Sequence, residues 1–270
     1  MIPTIAIIVA SALVLTLVVG NLLTGVFQAG FIFKPTRLRE THEYIFMEEF
    51  KEMTLPGAQG GTLNALLFPS AKTESKGLVI YFPPNHGNIE RWGEANTIFT
   101  QGGYDFLVFD HYGFGKSKGQ MTEANFYENA RLVYRELTKR YKPENIILFG
   151  KGLGAAVAGK LATEVQVKRM IMETPFASVR DLFYSYYNWI PRLLAFKYKF
   201  PLYQFVQEIS CPIIILHGTK DTLVPFSNTL KLQPLLKHSD EVITIHGGRN
   251  NNLYTFSEFH DAMEKVMYHE

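Results

Sequence analysis

The stretch from Asn145 to Ala158 constrains the fold of this chain more than any other. Asn145-Ile146-Ile147-Leu148-Phe149 is an apolar run, Gly150-Lys151-Gly152-Leu153-Gly154 is a Gly-rich turn, and Ala155, Ala156 and Ala158 follow. That order reads as a buried strand, a tight turn, and a helix whose small side chains let it lie close against the strand. The pattern recurs along the chain. Strands are expected at Tyr44–Thr54, Thr62–Phe68, Leu78–Phe82, Phe106–Asp110, Asn145–Phe149, Arg169–Glu173, Pro212–His217 and Glu241–His246. The central ones are continuous Val, Ile, Leu and Phe runs, as parallel strands covered on both faces require. Between strands, Thr122 caps a helix carrying Phe126, Ala130, Val133 and Leu137 on one face, and Pro143 stops it. Alternation of this kind predicts an α/β fold with a mostly parallel, eight-stranded sheet flanked by helices. Pro56–Gly61 suits an antiparallel hairpin at one edge.

Residues 181–209 break the rhythm. They are rich in Phe, Tyr, Lys and Arg, with Trp189 among them, and predict a short helical cap over the sheet. Such a cap can line an apolar pocket or lie against lipid headgroups.

The N-terminus differs from the rest. No charged side chain occurs from Met1 to Phe33, and Ile5–Val26 is almost wholly apolar. As a helix that stretch is long enough to cross a hydrocarbon core of roughly 30 Å. A cleaved signal peptide would have a basic leader and a small-x-small cleavage site, and neither is present. The expectation is a retained anchor in residues 1–33 and one folded domain in residues 34–270. Lys34, Arg37 and Arg39 follow the apolar stretch, which places the body on the cytoplasmic side of a single-pass membrane protein.

Bulk properties exclude several functions. The net charge is only +2 over 270 residues, with no basic run interleaved with aromatics, so no nucleic-acid partner is expected. The single cysteine, Cys211, leaves no disulfide framework or Cys-rich zinc site and reads as a small core residue. No metal or cofactor motif is present. The 150–154 turn does not match the spacing of a phosphate loop.

Four segments carry the remaining chemistry. Gly150-Lys151-Gly152-Leu153-Gly154 matches a nucleophile elbow, G-x-S-x-G, with Gly152 in the serine position. The elbow turn strains any residue with a side chain, and Gly adopts it freely. His217-Gly218-Thr219-Lys220-Asp221 places an acid on a turn after a strand. Gly247-Gly248-Arg249-Asn250-Asn251-Asn252-Leu253 follows the last strand. Pro83-Pro84-Asn85-His86-Gly87-Asn88 follows another, and its prolines remove N–H donors. His246, His260 and Ser117, the last within Asp110–Ser117, read as structural.

Together these segments resemble the α/β-hydrolase superfamily over nearly the whole chain, and its membrane-anchored serine-peptidase/lipase-like, Bem46-like branch in particular. The resemblance implies an α/β-hydrolase fold and the order nucleophile, acid, histidine at Gly152, Asp221 and Asn250. Asp221 occupies the triad acid position. Gly152 replaces the serine and Asn250 replaces the histidine, and an amide cannot act as a general base. The oxyanion region falls on the N–H groups of Asn85 and Leu153, with Pro83-Pro84 in place of the family's His-Gly. An active relative would cleave an acyl ester or amide. With the nucleophile and base replaced, the reading is a pseudo-hydrolase that binds an acyl or peptide ligand or a protein partner. The alternatives are a divergent acyl ester or amide hydrolase in which Asp221 activates water, and a structural membrane protein with a collapsed pocket.

Overall fold

The computed structural model describes Gly20, residues 28–190 and residues 192–268. Its centre is an eight-stranded sheet in the order β10-β9-β8-β7-β4-β6-β3-β2. These strands are β2 (Lys51–Pro56), β3 (Thr62–Phe68), β4 (Leu78–Phe82), β6 (Asp105–Phe109), β7 (Ile146–Lys151), β8 (Arg169–Glu173), β9 (Ile213–Gly218) and β10 (Glu241–Ile245). From β10 to β6 all neighbours run parallel, whereas β3 is antiparallel to both β6 and β2. The sheet is therefore mixed at one edge, where the Pro56–Gly61 turn closes the β2–β3 hairpin. A separate two-residue parallel pairing joins β1 (Lys34–Pro35) to β5 (His86–Gly87).

Helices cover both faces. They are α1 (Ile89–Trp92), α2 (Asn96–Gln101), α3 (Glu123–Leu137), α4 (Leu153–Ala162), α5 (Val179–Tyr186), α6 (Leu202–Phe205), α7 (Ser227–Leu232) and α8 (Ser257–Tyr268). Alternate residues of the central strands feed two apolar layers, as the period of two requires. Ile80, Phe82, Leu148, Met170 and Ile215 pack with Val133 of α3 and Val157 of α4. Val79, Tyr81, Phe149, Ile171 and Leu216 pack with Phe99 of α2 and Met263 of α8. All five residues of β4 and all six of β7 and β9 are buried, which accounts for the apolar runs Leu78–Phe82, Ile146–Phe149 and Ile213–Leu216.

Several sequence expectations need correction. Residues 44–50 are not strand, and the edge strand occupies Lys51–Pro56. The helix capped by Thr122, whose Oγ1 accepts from Asn125 N at 3.1 Å, ends at Leu137. Pro143 instead opens a separate 3-10 turn. Among the described residues the cap is α-helical only over Val179–Tyr186 and Leu202–Phe205. The chain between them is held by distant partners. Glu123 accepts from the backbone N–H groups of Lys199 (2.6 Å) and Phe200 (2.9 Å), and Gln28 from that of Lys197 (2.7 Å). Apart from Gly20, the expected anchor Ile5–Val26 lies outside the described residues. Among the described residues no helix is long and apolar enough to cross a membrane.

The parallel strands deliver their carboxyl ends to one edge, where ligands bind in open α/β sheets. The spacing of that edge depends on Gly154. A Cβ at this position would stand 1.9 Å from the Phe82 carbonyl oxygen. Gly154→Ala is therefore expected to push α4 off β4 and lower stability by about 1–3 kcal/mol, as overpacking does. Chemical denaturation beside the parent chain measures the loss.

Candidate active site

The turn from β7 into α4 holds Gly152 at φ 53° and ψ −112°, a conformation that residues with side chains adopt only under strain. The flanking glycines have a different reason to be glycine. A Cβ at Gly150 would stand 2.5 Å from Ala155 Cα, and Gly154 is closed off by the Phe82 carbonyl. At Gly152 a Cβ would meet only Pro84 Cβ, at 3.6 Å. The site has room for a side chain at 152 and none at 150 or 154, which is the spatial content of the elbow pattern. The turn is tied to the neighbouring strand by Gly152 N donating to the Glu173 carbonyl at 2.9 Å.

Asp221 is buried on the turn after β9. Its Oδ1 accepts from the N–H groups of Leu223 and Val224, both at 2.8 Å, and its Oδ2 accepts from Asn250 Nδ2 at 2.9 Å. Beneath it lies His217, fully buried. His217 Nε2 donates to the Val224 carbonyl at 2.8 Å and stands 3.5 Å from Asp221 Oδ2, while Nδ1 meets the Thr229 hydroxyl at 2.6 Å. Burial works to raise the Asp221 pKa. The hydrogen bonds from His217, the Val224 backbone and Asn250 outweigh it and hold the carboxyl below its ordinary 3.8.

Asn250 occupies the loop after β10. Its second amide hydrogen goes to Thr174 Oγ1 at 3.1 Å, so both N–H bonds of Nδ2 are used. Thr174 is itself held at a positive φ of 47° and is fully buried. The structure thus brings Asp221 and Asn250 into direct contact. Gly152 joins the same network through its neighbours. Lys151 Nζ lies 2.5 Å from Glu173 Oε1 and donates to the Asn250 carbonyl at 3.0 Å. This buried pair, paired in register across β7 and β8, was not singled out in the sequence, and neither was His217. His246 and His260 are both exposed and lie outside this network.

On the opposite side, Pro84 is buried over the elbow and the Pro83 carbonyl accepts from His111 Nε2 at 3.3 Å. Asn85 is committed to the N-terminal segment. Its carbonyl accepts from Lys34 N at 2.8 Å, and its Nδ2 donates to the Ile32 carbonyl at 2.5 Å. Leu153 opens α4, where backbone N–H groups have no intrahelical partner. His86 stands near Lys151. Burial, then the charges of Arg91 and Lys151, push its imidazole down to about 4, so it is neutral at physiological pH. Burial likewise pushes His111 down to about 3. Among the described residues no group of His, Cys, Asp or Glu stands close enough to hold a metal ion.

Residues 73–204 match the family model described as serine aminopeptidase, S33, a span that contains the elbow but neither the Asp221 nor the Asn250 loop. The chain is 25% identical over 193 residues to the α/β-hydrolase domain-containing protein 17C of Xenopus tropicalis, covering 69% of this chain and 61% of the relative. It is 24% identical over 217 residues to the human protein 17B, covering 78% of this chain and 73% of the relative. The chain thus spans about three-fifths of the length of the frog relative. Among solved structures it resembles an esterase of Pyrococcus furiosus, with TM-score 0.66, 16% identity, and coverage of 87% of this chain and 96% of that one. It also resembles the Butyrivibrio proteoclasticus protein Est1E, described with ferulic acid bound, with TM-score 0.64, 20% identity, and coverage of 80% and 97%. The sheet order, the elbow turn and these matches make the chain similar to proteins of the α/β-hydrolase superfamily.

Two outcomes follow from this network. Lys151→Met leaves Glu173 buried without its cation and is expected to cost about 3–5 kcal/mol, whereas Lys151→Met with Glu173→Leu recovers most of that loss. A double-mutant denaturation cycle reads the difference. Asp221→Asn is expected to flatten the acid limb of the stability profile. The depressed Asp221 carboxyl contributes stability that is fully present above its unfolded value of 3.8 and is lost as pH falls through the lower folded value. Denaturation of parent and variant from neutral pH to about pH 2 checks the sign.

Proposed function

We propose that this protein is a membrane-anchored, non-catalytic α/β-hydrolase-like protein of the Bem46-like kind, which uses the inherited cleft to bind rather than to cleave. The observation that carries the reading is the pairing of Gly152 at the strained elbow with Asn250 against Asp221. The elbow holds a side-chain position with no hydroxyl on it. The acid's partner is an amide whose two hydrogens are already given to Asp221 and Thr174. Such an amide takes no proton, so neither nucleophile activation nor leaving-group protonation has a group to perform it. Loss of the nucleophile alone costs on the order of 10⁶ in turnover in a serine hydrolase.

The ligand class follows from the cleft's kinship. The family model described as serine aminopeptidase and the esterase neighbours support an acyl ester, amide or peptide group as the ligand, with a protein partner as the other candidate occupant. A hydrolase in which Asp221 activates water is less well supported. Both Asp221 oxygens already accept hydrogen bonds, and those bonds lower its basicity. Anchoring rests on the uncharged stretch Ile5–Val26, and the cytoplasmic placement of the body on Lys34, Arg37 and Arg39.

Ester hydrolysis and labelling by a fluorophosphonate probe test the reading. The parent is expected to be silent in both. Gly152→Ser alone is expected to lower stability by about 1–3 kcal/mol, since the turn strains a side chain, and to restore little turnover. Gly152→Ser with Asn250→His is expected to take the probe and to hydrolyse short acyl esters. Hydrolysis by the parent that disappears in Asp221→Asn would sink the non-catalytic reading.

A further inference from the structure

The N-terminal segment reaches the body at the cap. Gln28 is buried, donates from Nε2 to the Ala195 carbonyl at 2.9 Å, and accepts at Oε1 from the N–H groups of Lys197 (2.7 Å) and Tyr198 (3.3 Å). Phe33 fills the core beside it, with ring centroids 5.2 Å from Phe126 and 5.0 Å from Tyr198. In sequence, the uncharged apolar stretch that ends at Val26 stops two positions before this fixed cap contact.

The surface around that junction is unusual. Phe31 is 80% exposed, Trp189 77% and Leu193 63%. Leu223 is also exposed, and the Tyr186 hydroxyl donates to its carbonyl, so the cap is tied to the loop that carries Asp221. Interleaved with these are Arg180, Arg192, Lys197 and Lys199, all exposed. None of the four makes an ion pair among the described residues, and the nearby carboxylate Asp181 is paired with Lys231. Scattered apolar residues on a soluble surface need no explanation. Large exposed aromatic and aliphatic residues among cations that make no salt bridge do, even though Arg180 and Arg192 stand over the Tyr184 ring and Lys197 over that of Tyr198. They are the composition of a face that sits at the headgroup level of a bilayer, where Trp is enriched and Lys and Arg meet anionic lipid.

We propose that the cap face around Trp189 and Leu193 lies in the headgroup region of the same bilayer that the N-terminal stretch enters, held by the four basic residues against anionic lipid. This deepens the membrane-anchored reading and rests on it. Its consequence is orientation. The carboxyl ends of the strands, with Gly152 and the Asp221 loop, face the membrane, so an acyl group would enter the cleft from the lipid phase.

The chain's two tryptophans make the test direct, because Trp92 is buried (7% exposed) and Trp189 is not. The full chain is reconstituted in vesicles of phosphatidylcholine and phosphatidylserine, floated on a density gradient, and its emission compared with that of Trp189→Phe. The expected result is that the Trp189 component loses most of its intensity when the acyl chains are brominated and is protected from aqueous acrylamide. Acrylamide protection is expected to weaken when phosphatidylserine is omitted. A chain that floats while Trp189 stays open to acrylamide and untouched by brominated lipid overturns the cap proposal and leaves the anchor standing. Protection from both quenchers that grows with protein density means contact between copies, and overturns it too. A chain that does not float overturns the anchoring reading itself.

Discussion

The close approach of α4 to the end of β4 sets the geometry on which the rest of the site depends. Gly154 lies so near the Phe82 carbonyl that the helix must begin where it does, and the turn feeding it must rise sharply at Gly152. Once that turn is fixed, Lys151 is fixed one residue earlier, opposite Glu173 in register. Lys151 then reaches across to the Asn250 carbonyl and positions the loop after β10. A packing requirement between a helix and a strand thus propagates, through one buried ion pair, to the loop that carries the partner of Asp221. Burying such a pair is seldom favourable in itself, and its best-attested use is to specify one arrangement over others. Here the arrangement specified is the relative placement of three loops from β7, β9 and β10.

Much of this was legible in the sequence, for a physical reason. Turns that need glycine or a short polar side chain mark themselves locally, so the elbow at 152, the acid turn at 221 and the Gly247-Gly248 turn before Asn250 could all be placed by eye. Strands buried on both faces also mark themselves, as β4, β7 and β9 do. What could not be read were contacts that depend on strand order. Lys151 and Glu173 are 22 residues apart and meet because β7 and β8 are neighbours. His217 is a buried brace because α7 brings Thr229 beneath it. The cap misled for a related reason. Its aromatic content suggested helix, but residues 197–200 are held by Gln28 and Glu123, which bind their backbone from far away in sequence. Phe200 even adopts a positive φ of 40° there.

The same network separates shape from chemistry. A histidine at 250 would give one N–H to Asp221 and keep its other nitrogen for proton transfer. Asn250 keeps the first function, since Nδ2 still satisfies Asp221, and lacks the second. An apolar residue there would have left the Asp221 carboxylate, Thr174 and the surrounding backbone short of a donor inside a buried pocket, at a cost of about 1–3 kcal/mol for the unpaired group. Asparagine is therefore the replacement that removes base catalysis while preserving the hydrogen-bonding of the wall. Gly152 fits the same reading, since it carries no hydroxyl and spares the turn the strain that a side chain would impose.

These two substitutions point in one direction for stability. On the non-catalytic reading proposed above, each position lacks a catalytic group while Asp221 keeps its hydrogen-bond donors and the turn at 152 stays free of side-chain strain. A purely structural reading would not require Asp221 to keep its donors or the loop after β10 to stay tethered. Instead Asp221 still accepts three hydrogen bonds and the Lys151–Glu173 pair still holds the Asn250 carbonyl. Burying a carboxylate is costly unless it is hydrogen-bonded, and here its donors are all in place. For the proposed reading, that satisfied carboxylate, more than the glycine at 152, favours a binding role over a purely structural one.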